Sequence, residues 1–197
     1  MARDRSRRPG AEALRLFVAV DLPPRAMEAV EEAIGPWRER FSTGRWVRPE
    51  NRHVTMKFLG RTYPRLVAAV EEACRDAAKA TSPITVGLTG MGVFPGPTRA
   101  RVLWVGLDDP DRLLTALAEN LQQRLPEEFP PEKRAFTAHL TVARFNPPVP
   151  AREHVEDLAS TVPDAPPFTV DHLVLYRSHL SPKGVRYEPL QTFPFGG

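Results

Sequence analysis

The sequence has one cysteine, Cys74, in 197 residues. An intramolecular disulfide is therefore excluded, and a reducing cytoplasm is the expected setting. No apolar run approaches the roughly 20 residues that cross a bilayer. The longest, such as Leu16 to Val20, are strand-sized. No hydrophobic segment stands behind Met1-Ala2-Arg3-Asp4-Arg5-Ser6-Arg7-Arg8, so neither a secretory signal nor a membrane partner is expected. Metal-binding patterns are missing too: there is no cysteine cluster, no His-x-His and no His-Glu-x-x-His. No metal and no other cofactor is expected.

What remains has the composition of a soluble globular protein, with 42% hydrophobic and 26% charged residues. The length suits one domain with a real core. A net charge of +3 and a pI near 9.3 permit an anionic partner without requiring one. Arginine strongly outnumbers lysine. Genome composition accounts for such a bias, and so does phosphate recognition, since guanidinium grips phosphate through paired N–H groups. Residues 1–13, with four arginines among the first eight, read as a disordered basic arm. Residues 14–197 read as the folded domain.

Alternation predicts a buried strand at Arg15–Val20. A helix follows from Pro23-Pro24 to about Ile34, where Gly35-Pro36 is expected to end it. Trp46 to Pro49 is strand-like, and His53–Leu59 is a second alternating strand. Helical spacing of Leu66, Val67, Val70, Cys74 and Ala77 marks a helix over Tyr63–Ala80. Pro83–Thr89 reads as a strand, Gly90–Arg99 as a loop with Val93-Phe94 extended, and Arg101–Leu107 as a strand. A helix at Asp111–Leu125 and a strand at Ala138–Phe145 follow. A short helix at Arg152–Ser160 precedes two closing strands, Phe168–Tyr176 and Val185–Phe193, the latter joined by Ser181-Pro182-Lys183-Gly184. Each half therefore runs strand, helix, then a strand carrying His-x-Thr. The expected fold is α+β: a single bilobal domain whose two pseudo-twofold-related lobes each have an antiparallel sheet and helices on the outer face, with the active cleft between them.

The paired motif is His53-Val54-Thr55-Met56 and His139-Leu140-Thr141-Val142, with about half the chain between them. In a strand, residues i and i+2 point to one face. His53 projects with Thr55, and His139 with Thr141, each pair backed by apolar residues on the other face. Cleavage of a phosphodiester needs one group to take a proton from the attacking oxygen and another to give one to the departing oxygen. An imidazole does either near neutral pH. Threonine hydroxyls can donate hydrogen bonds to the non-bridging oxygens. Four such side chains need no metal. A lone strand histidine is more often structural; two His-x-Thr strands in the two halves are a different matter.

Further segments carry a likeness. They are Arg15-Leu16-Phe17-Val18-Ala19-Val20-Asp21-Leu22-Pro23, Asn51 to Gly60, Arg101-Val102-Leu103-Trp104, Phe136 to Arg144, and Leu175 to Leu180 with Gly184 to Tyr187. With the two motifs, the chain over residues 14 to 193 resembles the 2H phosphoesterase superfamily, and within it the RNA 2′,3′-cyclic phosphodiesterases, formerly called 2′-5′ RNA ligases. Val142 and Met56 stand where leucine is common in that family, and Thr137-Ala138 where proline often precedes the histidine. The resemblance implies hydrolysis of a 2′,3′-cyclic phosphate on RNA or a nucleotide to a 2′-phosphate. His53 would give the proton to the leaving oxygen and His139 would activate water. The same chemistry with a 5′-hydroxyl in place of water would form a 2′-5′ linkage. Arg144 is implied in phosphate binding, although strand parity sets it on the face opposite Thr141 unless a bulge intervenes. Lys57, four residues after His53, is expected on the catalytic face as a second cation.

Trp46, Phe17 and Tyr176 are candidates for stacking on a base, with core packing as the alternative for each; Ser178 is a candidate substrate contact. His154, His172 and His179 are not expected to act in catalysis, and Cys74 is expected in the core. Two other readings stay open: a 2H phosphodiesterase for another nucleotide, and an RNA-end-binding module without turnover. The chain is expected to act as a monomer.

Overall fold

A computed structural model describes residues 12–182 and 184–196. The basic arm through Ala11, and Lys183 of the last turn, lie outside the described residues. The elements in chain order are β1 (Leu14–Val20), α1 (Pro24–Arg40), β2 (Arg45–Trp46), β3 (Val54–Thr62), α2 (Pro64–Lys79), β4 (Ile84–Val86), β5 (Leu88–Phe94), β6 (Ala100–Leu107), α3 (Leu113–Arg124), β7 (His139–Val149), α4 (Val155–Ser160), β8 (Phe168–Val170), β9 (His172–Ser181) and β10 (Gly184–Pro194).

The expected α+β fold is present. One lobe orders its strands β10-β9-β1-β3 and the other β7-β6-β5, with β2 pairing β7. All the pairings are antiparallel. The two lobes form one continuous sheet, but they join through a single residue pair, Val54 opposite Leu140. A separate small sheet pairs β4 with β8.

One face of the sheet is apolar and carries the core. Leu16, Val18, Val20, Val54, Leu140 and Val142 pack there with Val30 and Ile34 of α1, Val70 and Cys74 of α2, and Leu117 and Leu121 of α3. Burial pushes the Cys74 thiol up to about 12, as befits a core residue rather than a reactive one. The helices exchange lobes. Phe41, at the end of α1, lies 5.4 Å from Phe145 of β7, while α3 packs against β3. Each lobe's first helix thus supports the other lobe's motif strand.

Two differences from the sequence reading have local causes. Helix α1 does not stop at Gly35-Pro36 but continues to Arg40. Pro36 removes one backbone donor, yet Ile34, Trp37 and Phe41 fall on one buried stripe that holds the last turns in place. Residues 90–94, expected at the start of a loop, continue strand β5 (Leu88–Phe94), because the glycine-rich stretch is paired along β6 from Leu88–Leu107 to Phe94–Val102. Gly92 faces Trp104 across that ladder, and a Cβ at Gly92 would overlap the indole.

Val54 and Leu140 are both fully buried at the joint. Leu140→Ala is expected to lower the unfolding free energy by about 2–5 kcal/mol, the range for deleting a buried leucine side chain. Urea denaturation followed by circular dichroism measures it; a loss below about 1 kcal/mol would show that the joint does not carry the packing assigned to it.

Candidate active site

Register places the two motifs together. Carrying the Val54–Leu140 pairing one residue either way sets His53 across from Thr141 and Thr55 across from His139. Each imidazole therefore stands on the same side of the joint as the other motif's hydroxyl. The strands diverge beyond this point, and a cleft of about 460 Å³ opens on the face away from the helices. His53, Thr55, His139 and Thr141 all line it.

Both motif strands carry a β-bulge at the third residue after the histidine. Opposite β1, Ala19 pairs Thr55 and Val18 pairs Lys57, so Met56 is the extra residue. Opposite β6, Trp104 pairs Thr141 and Leu103 pairs Ala143, so Val142 is the extra one. A bulge reverses which face the following residues take. Lys57 is thereby turned away, contrary to the strand-parity expectation, and Arg144 is turned inward. Lys57 leaves the catalytic face: it is only 4% exposed, and its Nζ donates to the Pro130 carbonyl at 2.6 Å and lies 3.6 Å from Glu132. It does not line the cleft. Arg144, by contrast, is brought back onto the cleft wall. The equivalent position after the first motif is held by Phe58, which also lines the cleft and is 55% exposed.

The histidine rings are held by aromatic packing and by backbone. His53 stacks on Phe17 with centroids 4.6 Å apart and meets Tyr187 edge-on at 5.1 Å. His139 meets Phe94 edge-on at 5.1 Å and Trp104 at 6.4 Å. His139 Nδ1 lies 2.8 Å from the Thr137 carbonyl. A carbonyl oxygen only accepts, so Nδ1 carries a hydrogen and Nε2 is left to exchange protons. The Asn51 backbone lies near the His53 ring and favours its protonated form. In both motifs the backbone group belongs to the residue two before the histidine. The approach to His53 is anchored by buried Arg52, whose Nε and Nη2 donate to the Val47 carbonyl and whose Nη2 also donates to Glu31 of α1 at 3.0 Å.

Charge in the cleft is one-sided. Arg144, Arg15 and the two imidazoles line it, and no aspartate or glutamate does among the described residues. Burial, then the Arg144 charge and that of His139, push His53 down to about 4, against the pull of the Asn51 backbone. Burial also lowers His139, with the Thr137 carbonyl opposing and Arg144 adding to the fall. Both rings are thus neutral at pH 7 in the open cleft. Among the described residues, no group of three or more His, Cys, Asp or Glu side chains is placed to hold a metal ion. No described helix is long and apolar enough to cross a membrane.

The other candidates separate cleanly. Phe17 lines the cleft but is only 2% exposed, its ring stacked on His53. Trp46 packs against the core under the Arg38 guanidinium, 5.5 Å from the ring centre. Tyr176 stacks on Phe17 and donates its hydroxyl to Asp21 at 2.7 Å. Ser178 does line the cleft. His154 packs edge-on to Trp37 and Phe41, His172 pairs with Asp171, and His179 pairs with Glu188; none lines the cleft. Sequence reasoning missed Phe58, Tyr187, Phe94 and Arg15. A signal for Arg15 existed: it shares strand parity with Phe17 and opposes Leu16, Val18 and Val20.

Comparison with known proteins agrees with this geometry. The family model of the 2'-5' RNA ligase superfamily matches residues 23–182. A protein of Methanothermobacter thermautotrophicus named RNA 2',3'-cyclic phosphodiesterase is 30% identical over 187 residues, covering 91% of this chain and 98% of its own. The crystal structure of a Thermus thermophilus protein superposes with a TM-score of 0.78 at 29% identity, covering 93% of this chain and 99% of its own. That of E. coli LigT complexed with 3'-AMP gives 0.70 at 27% identity, covering 93% and 98%. A match spanning most of the chain, a relative of the same length, and two histidine motifs brought face to face by the fold place the chain in the 2'-5' RNA ligase superfamily.

Proposed function

We propose that the chain is an RNA 2′,3′-cyclic phosphodiesterase that opens the cyclic phosphate to a 2′-phosphate by two-histidine acid–base catalysis. The observation that carries this reading is a cleft lined by His53, Thr55, His139, Thr141 and Arg144 and, among the described residues, by no carboxylate. The named relatives and the nucleotide held by the E. coli structure support the substrate class.

The chemistry balances without a further group. His139 Nε2 takes a proton from water as its oxygen attacks phosphorus. The P–O3′ bond breaks opposite the new bond, and protonated His53 gives its proton to O3′. Thr55 and Thr141 donate to the non-bridging oxygens, where charge builds, and Arg144 draws the phosphate into place. The division of roles between the histidines follows the family resemblance. With a 5′-hydroxyl in place of water as the nucleophile, the same forward steps form a 2′-5′ linkage, and microscopic reversibility makes attack of the 3′-hydroxyl on that linkage the reverse reaction.

His53→Ala or His139→Ala alone is expected to lower turnover of adenosine 2′,3′-cyclic phosphate by about 10²- to 10⁴-fold, the usual worth of one acid or base. Chromatography of the product should find adenosine 2′-phosphate. Wild-type turnover in either variant, or a 3′-phosphate product, would overturn the reading.

Turnover in excess EDTA should match that in untreated enzyme, because every proton transfer has an assigned side chain. Activity lost to the chelator and restored by one divalent ion would require a different mechanism.

The pH dependence has a definite sign. In the free enzyme both imidazoles have lowered pKa values, and one of them must hold a proton for the reaction. The kcat/KM profile reports the free enzyme, so its optimum should lie below pH 6.5 and fall as pH rises and the acid loses its proton. A bound phosphodiester anion offsets the Arg144 charge and raises both values. The kcat profile, which reports the complex, should therefore be displaced to higher pH. Superimposed profiles from steady-state kinetics would contradict the assigned electrostatics.

A further inference from the structure

The cleft wall runs past the two motifs along the β1–β3 ladder to Phe58, Gly60 and Arg15, and Arg61, paired with Arg15, stands at its edge. In order from the reacting centre, the facing pairs on the cleft side are Ala19 with Thr55, Phe17 with Phe58, and Arg15 with Arg61. A second bulge, at Leu59, is closed by Gly60 at φ 65°, a conformation that glycine takes without strain. It sets Arg61 directly across from Arg15. Both arginines are exposed, and among the described residues neither forms an ion pair or a side-chain hydrogen bond. Like charges directly opposite on neighbouring strands repel. Such a pair gains when an anion sits between the two guanidinium groups.

Phe58 stands between this pair and the catalytic threonine. It is a large apolar ring left 55% exposed on the cleft wall. The sequence of groups along the wall is therefore phosphate-reacting centre, exposed aromatic face, paired guanidinium groups. That matches the repeat of a single-stranded nucleic acid, in which a phosphate, a nucleoside and the next phosphate follow one another. From Ala19 to Arg15 is four residues, about 13 Å of strand, and an arginine side chain reaching back along it shortens the span towards one nucleotide.

We propose that Arg15 and Arg61 form a second phosphate site, which binds the phosphodiester 5′ to the terminal nucleotide, with Phe58 as the stacking face for the intervening nucleoside. This rests on the hydrolase reading above and narrows its substrate class: the enzyme acts on the ends of RNA chains in preference to free cyclic nucleotides. Guanidinium recognises the phosphate whatever the base, and stacking tolerates every base, so the site reads chain rather than sequence.

The test compares adenosine 2′,3′-cyclic phosphate with an adenosine trinucleotide that ends in the same group, using wild type and the double variant R15Q/R61Q. Wild type should favour the trinucleotide in kcat/KM by about tenfold or more, and the double variant should lose that ratio through KM on the trinucleotide. Its log–log salt dependence on the trinucleotide should become shallower by about 0.7 for the one lost phosphate contact. A wild type without chain preference, or a double variant that keeps the ratio and the salt slope, would overturn the proposal. If wild type hydrolyses neither substrate, the hydrolase reading fails by itself. The second site is then read by fluorescence anisotropy of a labelled trinucleotide bearing a 2′-phosphate end: weaker binding to R15Q/R61Q than to wild type supports it, and equal binding overturns it.

Discussion

The constraint on which the structure depends is the contact between two strands through one residue pair. Val54 and Leu140 are fully buried, and they are the only point at which the β3 and β7 ladders touch. A longer ladder would hold the two motif strands side by side and close the space above them. A missing one would leave two lobes with no fixed relation. One pair fixes register, sets each histidine opposite the other threonine, and still lets the strands part into a cleft. The exchange of helices reinforces the joint from below, since α1 and α3 each brace the motif strand of the opposite lobe. The apolar core thus supplies rigidity where the polar face needs precision in position.

The bulges at Met56 and Val142 decide which side chains surround the two histidines. Their burial patterns are the same: from His53 to Phe58 and from His139 to Arg144, exposure alternates, doubles inward at the bulge and its neighbour, then turns outward. A bulge adds one unpaired residue and reverses the faces after it. Without it, Lys57 would point into the cleft and Arg144 away from it. With it, the lysine ammonium is drawn onto a backbone carbonyl and the arginine enters. The cleft then holds one guanidinium near both imidazoles and no carboxylate among the described residues. The lowered histidine pKa values follow first from burial and then from the Arg144 charge, so an anion bound beside Arg144 raises them.

How far the sequence spoke for itself follows from these particulars. Strand parity was enough to put His53 with Thr55 and His139 with Thr141, because those residues precede the bulges. It failed for Lys57, which follows one, since nothing in Val-Thr-Met-Lys announces an extra residue. For Arg144 parity pointed to the wrong face, and only the provision for a bulge left room for the observed one. The end of α1 was misjudged for another reason. Gly35-Pro36 is a strong local stop, but the burial of Ile34, Trp37 and Phe41 is a tertiary effect and outweighs it. Strand β5 was hidden likewise: Gly92 makes room for Trp104 and Gly90 for the α4 backbone at Ala159, which composition alone reads as loop.

A site with near twofold symmetry must act on a substrate that has none. A cyclic phosphate has a nucleoside on one side of phosphorus and, in reaction, a water on the other. The protein breaks its own symmetry at the position five residues after each histidine, where one half places Phe58 and the other Arg144. An aromatic face suits the nucleoside and a guanidinium suits the phosphate oxygens. On the proposed reading this orients the substrate with its sugar towards the His53 half and its charge towards the His139 half. The leaving oxygen belongs to the sugar, so it departs on the side of His53, and the attacking water approaches from the side of His139. The assignment of acid and base, which the two motifs taken alone leave interchangeable, then has a physical reason in Phe58 and Arg144, the cleft-lining positions at which the two segments differ.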